Sequence, residues 1–384
     1  KPPPPPRRPL TFKVKEFHPR ESLLTQLFES STDAVTAYNF FAALFVLLLL
    51  RALLDDIATH GLPFHHLWLV WWNFAQLPAT LAVWLLAFLS TFIPFTFLKY
   101  WAHAPAKSVT VTNQLPLLVL YISYLVAFFY FPLRFLFTAR LNCACSFIIT
   151  CETTRIAMKT HSFIRENAAR GIALKLANRP GAEGARSDWP SLEQFVYFFF
   201  CPSFIYRDSY PRTTSTNWRK VAGYAAHVFL LIEYVNLVFT QMVRPWLLST
   251  SPWSLPVSSQ LSAVFSLLPA GWLCLLCLFY GLLHCWLNMF AEVMRFADRD
   301  FYANWWNAAN MAEYYRNWNL VVHDWLYAYI FRDVTYLLGG SRRALKLASS
   351  AVFFTSAFFH EYWFGVALRI LYPVMFLLYF VAGG

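Results

Sequence analysis

The chain has 384 residues, of which 58% are hydrophobic, 20% aromatic and 13% charged, with a formal net charge of +11. Soluble domains carry about 25% charged residues, so this composition excludes a soluble protein and describes a polytopic membrane protein. The basic excess lies between apolar runs, which is the pattern of cytosolic loops and not of a nucleic-acid face, and no nucleic-acid partner is expected.

Residues 1–33 read as a basic cytosolic tail that opens on five prolines at positions 2–6, a polyproline segment expected to be mobile. Within it L-L-T-Q-L-F at 23–28 is amphipathic and reads as a pre-helix on the membrane surface. No cleavable signal peptide is visible, so the first span is expected to direct insertion. Residues 34–384 read as one membrane-embedded domain. The initial lysine and the apolar run at the far end fit an excerpt of a longer chain.

Residues 57–98, 108–133 and 245–291 contain no Lys, Arg, Asp or Glu, and each exceeds the roughly 20 residues that cross a hydrocarbon core. Together with shorter runs they give about eight expected spans, at 34–54, 67–98, 115–137, 143–160, 221–246, 262–290, 345–367 and 370–384. The basic stretches 1–20, 155–186 and 207–220 are placed on the cytosolic side. Residues 192–205, L-E-Q-F-V-Y-F-F-F-C-P-S-F-I, are too short to span and are broken by Pro202, so an interfacial or re-entrant element is expected. Residues 168–190, with Gly171, Gly181 and Gly184 among scattered charges, read as an exposed loop. Seven cysteines lie in or beside apolar runs and imply no disulfide framework; C-L-L-C at 274–277 reads as packing. No internal repeat is evident, which counts against a transporter of inverted repeats.

Polar side chains concentrate between residues 301 and 362, where in a lipid setting each uncompensated group costs several kcal/mol. Taken as one helix over 302–329, the segment brings Tyr315, Arg316, Asn319, His323 and Tyr327 to one face at i, i+3 and i+4. Such a face suits a polar ligand in an apolar setting. Spacing leaves equally open that these residues only bond to neighbouring helices. His360 stands in S-S-A-V-F-F-T-S-A-F-F-H-E-Y, with Ser356 one turn earlier. An imidazole inside a span is a functional candidate and a natural general base. His227 and His284 also fall in expected spans, and position does not choose among the three. A metal is not expected: H-E-x-x-H fails because residue 364 is Phe, and no His/Cys cluster has ligand spacing. No G-x-S-x-G elbow is present, so a covalent intermediate is not expected.

Five segments taken in order, H-S-F-I-R-E-N at 161–167, Y-R-D-S-Y-P at 206–211, F-Y-A-N-W-W-N at 301–307, N-W-N-L-V-V-H-D-W-L-Y at 317–327 and H-E-Y at 360–362, resemble the sterol O-acyltransferase branch of the membrane-bound O-acyltransferase family. Val321, Val322 and Asp324 side with the sterol enzymes against the related diacylglycerol acyltransferases. The resemblance implies an all-α polytopic fold of about eight to nine transmembrane helices around a substrate tunnel. It implies residence in the endoplasmic reticulum membrane and assembly as a homodimer or homotetramer. The implied reaction moves a long-chain acyl group from acyl-CoA, a co-substrate with no further cofactor, to the 3-hydroxyl of a sterol. Carried over residue by residue, His360 is the catalytic histidine and Asn319 the catalytic-site asparagine, with Arg165, Arg316, Tyr315, His323 and Ser356 on the acyl-CoA side. The competing readings are transfer to diacylglycerol or a long-chain alcohol, and a non-catalytic lipid binder. Two positions depart from the family. Asn304 replaces an acid, which is harmless if the acid only caps a helix and damaging if it holds a basic partner. Glu313 replaces a neutral polar residue and lies near enough to Arg316 in sequence to compete for its charge.

Overall fold

The computed structural model describes residues 11–104, 110–178, 188–249, 256–370 and 372–381. It is all-α: among the described residues there is no strand, and only two isolated β-bridges, Arg20 with Asp298 and Arg212 with Phe296.

The amphipathic pre-helix is α1 (Leu23–Ser30). Ser31 then caps α2 (Thr32–His60) by accepting from the Ala34 amide, and Gly61, at φ 72°, closes it, the left-handed position that glycine takes without a Cβ penalty. A 3-10 turn leads into α3 (Trp68–Phe74), α4 (Leu77–Ser90) and α5 (Phe92–His103), which follow one another almost without a break. Next come α6 (Val111–Thr138), α7 (Cys143–Ala177) and the short α8 (Leu192–Phe200). Helix α9 (Trp218–Val238) passes through a π turn at Phe239–Val243 into α10 (Arg244–Ser249). Likewise α11 (Val257–Leu278) passes through a longer π segment, Phe279–Trp286, into α12 (Leu287–Val293).

Four helical stretches, His65–His103, Gln114–Thr138, Trp218–Ser249 and Val257–Val293, are long and apolar enough to cross a membrane. They cover four of the eight expected spans. Their outer faces leave side chains such as Leu86, Phe229 and Phe265 67–72% exposed, which is costly in water and not in lipid. Helices α2 and α7 have 29 and 35 residues and mix polar with apolar side chains.

Helix α7 is the axis of the fold, packed by α4, α5, α6 and α16 (Arg342–Leu368). Several of its polar residues find partners within the helix or on its neighbours. Thr150, Thr153 and Thr154 donate to carbonyls one turn back at 2.8–3.1 Å, and Glu152 takes Trp84 Nε1 at 2.6 Å and the Arg155 guanidinium at 2.8 Å. The loop expected over residues 168–190 is corrected here: α7 runs on to Ala177, and residues 179–187 lie outside the described residues. Gly171 marks a helix contact, because a Cβ there would run into the Trp101 ring of α5.

The segment expected to be interfacial or re-entrant takes a definite form. Ser191 and Gln194 make a capping box that starts α8, and Phe195, Phe198 and Phe199 are at most 1% exposed. After Phe200 the chain leaves helical geometry inside the protein, and the buried Lys159 of α7 donates to the carbonyls of Phe198, Cys201 and Ser203 at 2.6, 2.7 and 2.8 Å. Irregular backbone at such depth needs internal partners, and one ammonium supplies three. These aromatics join Phe163, Phe296 and Phe301, all fully buried, in a core of tilted and edge-on contacts such as Phe163 on Phe195 at 4.9 Å and 75°.

The expectation of a mobile tail over residues 1–31 also needs correction. Residues 1–10 lie outside the described residues, but residues 11–22 form an extended strap across segment 295–324. The Arg20 amide donates to Ala297 O at 2.9 Å, and the Arg299 amide returns to Arg20 O at 3.0 Å. The Arg20 guanidinium lies 2.8 Å from Asp298 and 3.0 Å from Asp300, and Lys15 lies 2.8 Å from Asp324. Two basic residues of the tail thus neutralise carboxylates of the chain itself.

Candidate active site

The single helix expected over residues 302–329 is instead a series of short pieces. A 3-10 turn at Trp305–Asn307 follows the buried Phe301 and Tyr302. Next comes α13 (Met311–Trp318), capped by Asn310, and then α14 (Leu320–Leu326). A π turn at Tyr327–Phe331 leads into α15 (Arg332–Leu337). The break falls at Asn319, whose backbone is extended (φ −145°, ψ 91°) and whose Oδ1 accepts the Val322 amide at 3.1 Å. An asparagine prefers this N-cap role to a helix interior, and that preference overrides the i, i+4 register. The shared face therefore does not exist across residue 319. With Oδ1 used as the cap, Asn319 keeps its Nδ2 amide as a donor.

On α16, His360 is half-buried, and its Nδ1 lies 2.7 Å from the Ser356 carbonyl. A carbonyl can only accept, so Nδ1 carries the proton and Nε2 presents its lone pair. The Ser356 contact runs through the main chain and not through the hydroxyl. Among the described residues Nε2 has no hydrogen-bond partner. His227 differs, with its nitrogens at 2.8 Å from Gly223 O and 3.0 Å from the Tyr38 hydroxyl. His284, 3% exposed, is locked into a buried network with Tyr302 (2.7 Å), Ser22 (3.5 Å) and Asn288. Of the three in-span histidines, only His360 combines a fixed tautomer with an unoccupied lone pair.

After α16, helix α17 (Val374–Phe376), extended by a π turn at Leu377–Val381, brings Tyr379 onto His360. The rings stack at 4.5 Å and 18°, and Trp363 lies 4.9 Å from the imidazole. Tyr315 of α13 lies 5.7 Å from Tyr379 and 6.1 Å from Phe353, so it reaches the neighbourhood of His360. Sequence reasoning missed Trp363 and Tyr379. The first was signalled by its i+3 spacing from His360; the second depends on a turn between helices and had no local signal.

The charged candidates are divided. Arg165 holds Asp333 of α15 with both arms of its fork, at 2.7 and 3.0 Å. Arg316 is exposed and pairs with no carboxylate among the described residues. The competition expected from Glu313 is absent, since its carboxylate accepts the Ala309 amide at 3.0 Å. His323 is half-exposed and 3.8 Å from Asp324. Burial alone would raise the pKa of Asp324, but the hydrogen bonds and charges of His323 and Lys15 outweigh it and hold the carboxyl below its usual range. A small cavity of about 20 Å³ sits beside these groups, under the strap, lined by Lys15, Phe17, Ser203, Phe301, Val321 and Asp324 among others, with no residue of α16.

Asn304 is exposed, and its side chain makes no capping bond to the turn that it precedes. The amide in place of an acid therefore breaks no internal contact. Asn304→Asp is expected to leave the turnover rate within about twofold and stability within about 0.5 kcal/mol, checked by activity assay and thermal unfolding in detergent.

Fold and site together define a multi-pass membrane protein with a half-buried imidazole, His360, held on one helix of the bundle. The chain belongs to the membrane-bound O-acyltransferase family, whose family model matches residues 34–382. It is 36% identical over 376 residues to sterol O-acyltransferase 1 of Mus musculus, an alignment covering 96% of this chain and 67% of that protein. It is also 36% identical over 392 residues to sterol O-acyltransferase 2 of Homo sapiens, covering all of this chain and 72% of that one. For sterol O-acyltransferase 2 of Mus musculus the identity is 35% over 383 residues, covering 97% and 71%.

Proposed function

We propose that this protein is an acyl-CoA-dependent sterol O-acyltransferase that moves a long-chain acyl group to the 3-hydroxyl of a sterol such as cholesterol, releasing CoA. The observation that carries the reading is the match to sterol O-acyltransferases over 96% of the chain. The state of His360 supports it. With the Nδ1 proton given to Ser356 O, Nε2 takes the hydroxyl proton as the sterol oxygen attacks the thioester carbonyl. The tetrahedral oxyanion then collapses, the C–S bond breaks, and the imidazolium returns its proton to the CoA thiolate. The Nδ2 of Asn319 is the donor left for the oxyanion, a contribution of roughly 3 kcal/mol in comparable sites. Arg316, free of carboxylate partners, meets the phosphate or pantetheine groups, with Arg165, Tyr315, His323 and Ser356 on the same acyl-CoA side.

Acyl-CoA is a co-substrate, and the scheme needs no metal or further cofactor. In this reading the protein sits in the endoplasmic reticulum membrane as a homodimer or homotetramer, taking acyl-CoA from the cytosol and sterol from the bilayer. The basic stretches between spans and the apolar outer faces support those two routes. The test is transfer of labelled oleate from oleoyl-CoA in membranes carrying the full-length protein, with cholesterol, diacylglycerol and hexadecanol offered separately. Cholesterol is expected to be preferred by at least about tenfold, the scale on which a shaped apolar site separates acceptors. Equal or greater transfer to diacylglycerol would reassign the acceptor, and no transfer to any of the three would overturn the enzyme reading.

A further inference from the structure

Two residues that the reaction scheme leaves without a task converge on His360. Glu361, its neighbour in H-E-Y, is a half-buried acidic residue of α16. Its Oε2 accepts one hydrogen bond among the described residues, from the backbone amide of Phe376 at 3.0 Å. That bond ties α17 to α16 across the turn joining them. The turn itself is pinned. Arg369 ends α16 at φ 59° and donates to Leu136 O and Leu141 O, both at 3.3 Å, while its guanidinium lies 4.4 Å from the Phe137 ring. The Ile370 amide returns to Gly365 O at 3.0 Å, and a Cβ at Gly365 would press on Ile370 O at 3.1 Å. Helix α17 is therefore set at one position along α16, and three residues beyond Phe376 it lays the Tyr379 ring on the imidazole at 4.5 Å.

We propose that Glu361 and Tyr379 are positioning residues for His360: the carboxylate fixes α17, and the tyrosine ring on α17 fixes the plane of the base. This rests on the reading of His360 as the base. The Ser356 carbonyl holds one edge of the imidazole but leaves it free to rock about that bond. A ring stacked at 18° removes the remaining freedom, and the lone pair of Nε2 stays open, because it lies in the ring plane and not on its face. The phenol hydroxyl has no part in this; the aromatic face does.

The experiment measures kcat and KM for oleoyl-CoA and cholesterol in membranes of the full-length protein, with melting temperatures in detergent. Tyr379→Leu and Glu361→Leu are each expected to lower kcat about tenfold with KM within about twofold, the signature of a misaimed base. Tyr379→Phe, which keeps the stacking ring, and Glu361→Gln, whose carbonyl oxygen still accepts the Phe376 amide, are expected to restore most of that rate. The double variant Glu361→Leu/Tyr379→Leu should fall no more than about twofold below the slower single, since both act through one ring. Losses that multiply, or that follow a lowered melting temperature, would overturn the proposal in favour of simple packing. Unchanged kcat in both leucine variants, with His360→Ala inactive, would overturn it while leaving the base in place. An active His360→Ala would remove the base and this proposal together.

Discussion

Replacing His360 by alanine is expected to lower steryl ester formation by about 10²–10⁴-fold, the usual contribution of a positioned general base. The loss should lie in kcat, because Nε2 has no hydrogen-bond partner among the described residues and, in the proposed scheme, serves only to deprotonate the hydroxyl. Folding should survive. The imidazole is half-buried, and the carbonyl that it bonds belongs to the α16 ladder, so no buried backbone group loses its only partner. His227 is the control. Both of its nitrogens are taken by Gly223 and Tyr38, and His227→Ala should leave the rate within about twofold. If the two variants behaved the other way round, the assignment of the base would be wrong.

The second large effect concerns stability. Lys159→Met is expected to cost about 3–5 kcal/mol, because the thioether fills the space but leaves the carbonyls of Phe198, Cys201 and Ser203 without their shared donor at a site 2% exposed. The Cys201 carbonyl keeps the Ser203 amide at 2.8 Å and the Phe198 carbonyl keeps the Cys201 thiol at 3.3 Å, so the loss falls chiefly on the Ser203 carbonyl, in the irregular turn after α8. Cys201 of this turn belongs to the same core cluster as Phe163, Phe195 and Tyr206, so its loosening reaches the aromatic core. The check is the melting temperature in detergent, expected to fall by at least about 5 °C. A fall of less than about 1 °C would mean that water or a neighbouring amide takes over the three carbonyls.

What could be read from the sequence follows from which interactions are local. Long charge-free runs gave the apolar helices, because a span needs only length and hydropathy. Pro202, just beyond Phe200, marked where α8 ends; the Ser191–Gln194 capping box that begins it emerged only from the structure. The loop expected over residues 168–190 failed because glycine was taken as a breaker, whereas at Gly171 it admits the Trp101 ring. The helix expected over 302–329 failed at Asn319, where a side-chain cap outweighs periodicity. Of the candidate site, His360, Ser356 and Tyr315 are legible and lie near one another. Arg165 has a partner in Asp333, 168 residues away, and Lys15 and Arg20 serve carboxylates further off still. Nothing in a local pattern announces such pairings, since they exist only once distant helices have packed.

The strap carries a consequence for how the protein is made. His18 and Arg20 bond Asp298 across 280 and 278 residues of chain. At a ribosome adding about 5–20 residues per second, the partners of the strap emerge roughly 14–56 s after the strap itself. Through that interval Ser22, fully buried in the finished fold, and the cationic Lys15 and Arg20 have no place to dock. The strap is thus synthesised well before the residues that secure it, and its closure over residues 295–324 signals that the intervening helices have reached their final arrangement.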